Sequence, residues 1–414
     1  MEFRRVVVTG LGAITPIGNT VDEYWHGLQH GACGVGPITR FDTTGQTVTI
    51  AAEVKGLNPE DHFEKKEIKK LDYFVRFAMV AGREAFRQSG LDLTQHDANE
   101  IGVLIGVGMG GVLTIEEQHD VLVKRGPGRV TPFLVPKMIP NMAAGMVSID
   151  LGLKGPNSAV STACASATHA IGDSFRIIQR GDATAMICGG AESVITPLSI
   201  AGFANMGALS ACNDTPHCAS RPFDANRNGF VMGEGSGLLV LEELEHAKQR
   251  GANILAEIVG YGLTGDAFHM TSPGPNGEGG ARCMRMCLRS AGLQPEQVDY
   301  INAHGTSTPL NDKLETQAIK TVFGDHAYKI AVSSNKSMIG HLIGAAGGVE
   351  AVATVLTIRD GQIPPTINYS EKDNECDLDY VPNTVRQQQV NVAISNSLGF
   401  GGHNATIAFR SYNG

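Results

Sequence analysis

A chain of 414 residues, 42% hydrophobic and 18% charged, carries ample material for a large buried core, which sets aside an intrinsically disordered reading. Its formal net charge of −9 argues against general nucleic-acid binding. The opening residues MEFRRVVVTG run straight into an apolar β-branched stretch and no run reaches membrane-spanning length, so neither a secretory leader nor a membrane span is expected.

In chain order, RRVVVTG reads as a strand, KKLDYFVRFAMVAGREAFRQSG as a helix, and IGVLIGVG, NSAVSTAC, TAMICGGAE and GLLVLEEL as further strands. A second series begins near residue 255 with ILAEIVGYG, a helix from Gly279 to Gly292, VDYINAHG, YKIAVSSNK, the helix GAAGGVEAVATVLTIRDG, and VNVAISNSLGFGGHNATIAF. The alternation predicts an α/β protein with parallel βαβ layering, in two halves spanning 1–254 and 255–414. With 51 glycines and only 6% aromatic residues, the interior has to be built from small and β-branched side chains. Eight cysteines form no zinc spacing and no disulfide frame, which points to reduced thiols in a cytoplasmic setting.

Gly106, Gly108 and Gly111 in LIGVGMGGV fit G-x-G-x-x-G after a strand, and TGLGAITPIG looks similar. Neither turn leads to a second strand ending in an acidic residue about 20 positions on, which ribose binding requires. These glycines are assigned to tight strand exits, and no nicotinamide cofactor is expected.

Cys164 lies where the strand ending at Thr162 meets a helix of small residues opening at Ala163. A thiol at a helix N-terminus faces unsatisfied backbone N–H groups and the positive end of the helix dipole, so thiolate is expected to be favoured there. The other cysteines lack such a junction; Cys283 and Cys287, at i and i+4, share one helix face. In the second half, His304 ends a strand and leads through Gly305 into Thr306, Ser307 and Thr308, while His341 follows Lys336 by five residues and precedes Glu350 by nine. Two imidazoles and a lysine at strand ends or the helix starts after them fall at the sheet edge where open α/β folds bind ligands. Lys65, Lys66, Lys69 and Lys70 form one basic island and Lys124, Arg125 and Arg129 another. They read as solvated surface or as a dock for an acidic partner.

VSTACAS, RPFDANRNGFVMGEGSG, AHGTSTPLND, NKSMIGHLIGAAGGVEA and NSLGFGGHNAT resemble, in order and across nearly the whole chain, the motifs of elongating β-ketoacyl-acyl carrier protein synthases. The resemblance implies a thiolase-like fold, two similar α/β halves making a five-layered αβαβα core, normally a homodimer. It implies Cys164 as the acyl-carrying nucleophile, backbone N–H groups of Cys164 and Phe400 as oxyanion donors, and His304 with His341 as stabilisers of the enolate formed from malonyl-carrier protein. Lys336 and Glu350 would order the histidines. Thr306 and Thr308 would bond the pantetheine arm, Met109 and Phe203 line the acyl cleft, and Asp266 and His269 belong to a loop that moves with Phe400. Lys66, Lys69, Lys70 and Arg129 fall where acyl carrier protein docks. No metal or redox cofactor is implied, since substrates arrive on phosphopantetheine.

Four positions depart from that pattern. Leu398 replaces an aromatic residue, His403 a threonine and Cys212 an arginine, and Met109 stands where a β-branched residue is expected. The rival readings are a thiolase, which needs a second C-terminal cysteine, a polyketide ketosynthase or its chain-length partner, an acyl-carrier binding module, and a cysteine hydrolase.

Overall fold

The computed structural model describes residues 3–414. The first half lays down β1 (Val6–Ile14), α1 (Tyr73–Ser89), β2 (Ile101–Gly106), α2 (Met142–Leu151), β3 (Asn157–Val160), α3 (Ser166–Arg180), β4 (Ala185–Glu192) and β5 (Gly235–Glu243). The second lays down β6 (Ala256–Gly265), α4 (Glu278–Ala291), β7 (Tyr300–Asn302), α5 (Pro309–Phe323), β8 (Ala331–Ser333), α6 (Ala346–Asp360), β9 (Val392–Gly399) and β10 (His403–Arg410).

Hydrogen bonding joins the ten strands in the order β8-β7-β9-β10-β6-β1-β5-β4-β2-β3. Read outward from the middle, each five-strand set has the same order and directions: the first strand is antiparallel to the fifth, the fifth antiparallel to the fourth, and the fourth, second and third are parallel. Three residue pairs, Val6 with Ile258 through Val8 with Ala256, connect the two sets. The sheet is therefore mixed, because the fifth strand of each set pairs antiparallel with both of its neighbours.

Helices α3 and α6 touch strands of both sets and each other, while α1 and α2 cover one outer face and α4 and α5 the other. This is the expected five-layered αβαβα arrangement. Every residue of α6 from Ala346 to Ile358 is buried, which a central helix packed on all sides requires and a surface helix forbids. Close approach is possible because the middle layer is small: a Cβ on Gly237 would stand 2.2 Å from the backbone nitrogen of Val349. Cys283 and Cys287 are both buried on α4.

Several boundaries differ from the sequence reading, among them the strand expected to reach Thr162, which ends at Val160. The helix expected to begin near Lys69 starts at Tyr73, because Asp72 is extended, as an N-cap position requires, and a separate short helix covers Lys65–Ile68. Strand β7 stops at Asn302, two residues before His304, because the N–H groups of His304 and Gly305 turn to the Glu315 carboxylate, at 2.8 Å each. No helix among the described residues is long and apolar enough to cross a membrane.

Candidate active site

Strand β3 ends at Val160, and Ala163, at φ +50°, turns the chain sharply into a 3-10 turn over Ala163–Ala165 that continues as α3. A non-glycine residue in the left-handed region is strained, and the strain presents Cys164 at the tip of the elbow. The Gly399–Phe400 turn after β9 packs on it: a Cβ on Gly399 would meet the Thr162 carbonyl oxygen at 2.9 Å and the Cys164 nitrogen at 3.3 Å. The backbone N–H groups of Phe400 and of Cys164 itself lie near enough to the sulfur to favour its thiolate.

Sγ of Cys164 and one ring nitrogen each of His304 and His341 lie within 4.8 Å of one another, all buried. The two imidazoles meet edge to face, with centroids 5.3 Å apart, and Phe230 abuts the His341 ring at 5.2 Å. Main-chain bonds hold His341 in place, its N–H donating to Val231 and its carbonyl accepting from Gly233, while neither ring nitrogen has a hydrogen-bond partner among the described residues. Lys336 lies behind the pair. Its ammonium donates to the His304 carbonyl at 2.6 Å, approaches His304 Nδ1 at 3.4 Å and pairs with Glu350, the lysine and glutamate side chains each 1% exposed.

Burial and the Lys336 charge hold both imidazoles well below the usual histidine value, so both are neutral at physiological pH. Burial also pushes the Cys164 thiol up to about 11, although Lys336 and the two N–H groups pull the other way. The expectation of a favoured thiolate is thereby corrected: low polarity around the sulfur outweighs the helix terminus, and the resting group is the thiol.

The three groups form the base of a cavity of about 580 Å³ with a largely apolar wall. Met109, Phe203, Leu398 and Phe400 line it, with Phe203 and Phe400 stacked at 6.4 Å between centroids. Thr306 and Thr308 face it with their hydroxyls 2.9 Å apart, and Thr308, although at the N-cap position of α5, makes no capping bond. Asp266 is in the wall and ties its loop to the turn after Phe400, accepting from Asn404 at 2.6 Å and donating its N–H to the Gly402 carbonyl at 2.9 Å.

His269 is not brought to the site. It is exposed, its Nδ1 accepting from the N–H groups of Thr271 and Ser272, so it shapes its own loop. Cys212 is half-buried, with Asn228 donating to its sulfur at 3.3 Å, and His403 is exposed on the far side of the Gly401–Gly402 turn. Lys66, Lys69, Lys70 and Arg129 are exposed; Lys66 pairs with Glu64, and Lys70 reaches over the Phe133 ring at 5.6 Å.

Sequence reasoning missed two buried carboxylates. Glu315 anchors the His304 turn as described, and Glu192 at the end of β4 accepts N–H groups from Gly108, Met109, Gly110 and Gly344. Their signal was present: an acidic residue ending an apolar strand or lying on the inner face of a helix has to find donors in the core.

A thiol at a strained strand-to-helix elbow, two neutral imidazoles and paired N–H donors under an apolar cavity define a condensing enzyme of the thiolase-like fold. Family models bear this out: the β-ketoacyl synthase N-terminal domain matches residues 3–247 and its C-terminal domain residues 255–370. The chain belongs to the β-ketoacyl synthase family. It is 56% identical over 412 residues to the 3-oxoacyl-(acyl-carrier-protein) synthase 2 of Synechocystis sp., covering 100% of this chain and 99% of that one. To the protein of the same name from Staphylococcus aureus it is 53% identical over 411 residues, covering 99% of each. Among solved structures, a type II polyketide acyl-carrier protein in complex with its ketosynthase bound to the hexaketide matches with a TM-score of 0.92 at 36% identity, covering 100% of both chains.

Proposed function

We propose that this chain catalyses the decarboxylative Claisen condensation of an acyl-carrier protein with malonyl-carrier protein, giving 3-oxoacyl-carrier protein, carbon dioxide and free carrier in type II fatty acid elongation. The carrying observation is the meeting of Cys164 Sγ with His304 and His341 at the base of the apolar cavity.

In the first half-reaction, Cys164 sulfur bonds to the acyl carbon while the thioester bond from that carbon to the pantetheine sulfur breaks. The thiol proton passes by way of the free ring nitrogen of His341 to the departing pantetheine sulfur. The N–H groups of Cys164 and Phe400 hold the tetrahedral oxyanion. In the second, the malonyl carboxylate leaves as carbon dioxide and its bonding pair becomes an enolate. Neutral His304 and His341 donate N–H to that enolate oxygen. A Lys336 ammonium beside Nδ1 selects the His304 tautomer with its proton on Nε2, and Glu350 balances the ammonium. The enolate carbon then attacks the acyl carbonyl and the Cys164 thiolate leaves. The Cys164 thiolate then takes one proton from solvent, which restores the resting thiol and balances the carboxylate lost as carbon dioxide; the scheme calls on no metal or redox cofactor.

Thr306 and Thr308 are assigned to the pantetheine arm, Met109 and Phe203 to the acyl path, and Asp266 to a loop that follows Phe400. Lys66, Lys69, Lys70 and Arg129 dock the acidic carrier. Residues 1–254 and 255–414 are the two thiolase-like halves, consistent with their matching strand order. A homodimer is supported by the outer edge strand β3, whose first two residues are exposed, and by exposed Ile149 on the helix α2 packed against it. Eight free cysteines fit a cytoplasmic location. The identities of 53–56% to elongating synthases, against 36% to the polyketide ketosynthase, favour fatty acid over polyketide substrates. The proposal is tested by product analysis: wild-type protein converts acyl- and malonyl-carrier protein to 3-oxoacyl product, and a free fatty acid released without malonyl consumption would instead mark a hydrolase.

A further inference from the structure

The elbow that presents Cys164 occurs twice. Ala163 at φ +50° opens the 3-10 turn Ala163–Ala165, and Ile343 at φ +48° opens the 3-10 turn Ile343–Ala345. Each leads into a helix of 15 residues closed by a left-handed glycine, Gly181 or Gly361. Gly344 therefore occupies, in the second elbow, the place of Cys164 in the first.

What the two elbows do with their N–H groups differs. That of Cys164, a residue lining the cavity, lies near its own sulfur and favours its thiolate. That of Gly344 donates to Glu192 Oε2 at 3.1 Å, so the chain's own carboxylate fills the second anion site. The same carboxylate, 0% exposed, takes the N–H of Gly108 at 2.7 Å, of Met109 at 3.2 and 3.3 Å, and of Gly110 at 3.1 Å. Three consecutive backbone donors thus end on one side chain. Gly108 and Gly344 are glycines because a Cβ on either would stand 2.6 Å from Glu192 Oε2. Among the described residues no Lys, Arg or His pairs with Glu192, and burial pushes its carboxyl up to about 7 against those four N–H groups.

We infer that Glu192 is a positioning residue for acyl-chain selection: it clamps the Gly108–Gly110 turn to the second elbow, and so fixes where Met109 stands in the acyl cleft. This rests on the reading that Met109 lines the acyl path. Three bonds to consecutive N–H groups specify both the height and the tilt of the turn, so a displaced carboxylate moves the Met109 side chain with it. A glutamine cannot replace it, because its amide N–H₂ opposes at least one backbone N–H and leaves a buried donor unpaired.

The test is self-acylation by a series of acyl-carrier proteins of increasing chain length, followed by intact-protein mass spectrometry, for wild type, Glu192→Gln and Met109→Ala. Glu192→Gln flattens the profile, reducing the ratio between the best and worst chain lengths by about tenfold, the scale of one lost hydrogen bond to a charged group. A purely structural residue would lower acylation at all lengths alike, and an unchanged ratio in Glu192→Gln while Met109→Ala shifts it overturns the inference and leaves the cleft reading standing. If neither variant changes the ratio, the cleft reading fails and the inference with it. Should Glu192→Gln fail to fold, Glu192→Asp, whose carboxylate is withdrawn by one methylene, carries the same expectation and the same refutation.

Discussion

Lys336 and Glu350 form an ion pair in which each side chain is 1% exposed, and the Lys336 ammonium also bonds the His304 carbonyl at 2.6 Å. Such a pair is costly to break from one side, because removing either partner leaves the other charged in the core. Lys336→Met is therefore expected to cost about 3–5 kcal/mol of stability. It should also slow malonyl decarboxylation, since His304 Nδ1 loses the neighbour that fixes its tautomer. Denaturant unfolding and a carbon dioxide release assay measure the two effects. Unaltered decarboxylation by folded Lys336→Met would remove Lys336 from the account.

Both histidines act in the second half-reaction of the proposed scheme, and His341 in the first as well. His304→Ala and His341→Ala should leave self-acylation of Cys164 measurable while lowering decarboxylation about 10²–10³-fold, the usual effect of deleting one oxyanion donor. His341→Ala should also slow acylation, because its ring carries the thiol proton. Loss of acylation with decarboxylation intact would reverse the assignment.

The pH behaviour follows from burial. With its thiol pushed up to about 11, Cys164 should be alkylated by iodoacetamide at a rate that keeps rising above pH 9. A plateau reached below pH 8.5 would mean that the elbow stabilises thiolate after all. His304 and His341 are held well below 6.5, so decarboxylation should show no loss as pH falls through 6.5. Stability behaves otherwise. The unfolded chain binds protons at these histidines below 6.5 while the folded chain does not, so their contribution is present above that value and is lost as pH falls toward the folded-state values.

The proposed carrier dock consists of exposed cations. Reversing Lys69 and Lys70 to glutamate should raise KM for carrier-bound substrates at low salt, with the difference shrinking as ionic strength rises. Lys66 is already paired with Glu64, and its reversal should matter less. An unchanged KM for the double variant would sink the docking proposal.

Cys164 was legible because a strand of β-branched residues stops and small residues begin, a change of pattern that sequence displays directly. His304 and His341 were legible as polar residues at strand ends, but their meeting with Cys164 joins positions 140 and more residues apart, which the pattern cannot supply. The thiol's protonation was misjudged because helix position is local and desolvation is not. Glu192 and Glu315 escaped notice although one ends an apolar strand and the other lies on the inner face of a helix, because the sequence does not mark which backbone N–H groups would become their donors. His269 was carried over with its loop, whereas only Asp266 of that pair reaches the cavity wall.

The most direct test of the central claim is intact-protein mass spectrometry after mixing the enzyme with acyl-carrier protein, then adding malonyl-carrier protein. The account predicts a mass increase of one acyl group, absent in Cys164→Ala and discharged as 3-oxoacyl product only when the malonyl donor is present. No adduct with any acyl donor, or an adduct that survives in Cys164→Ala, would contradict it.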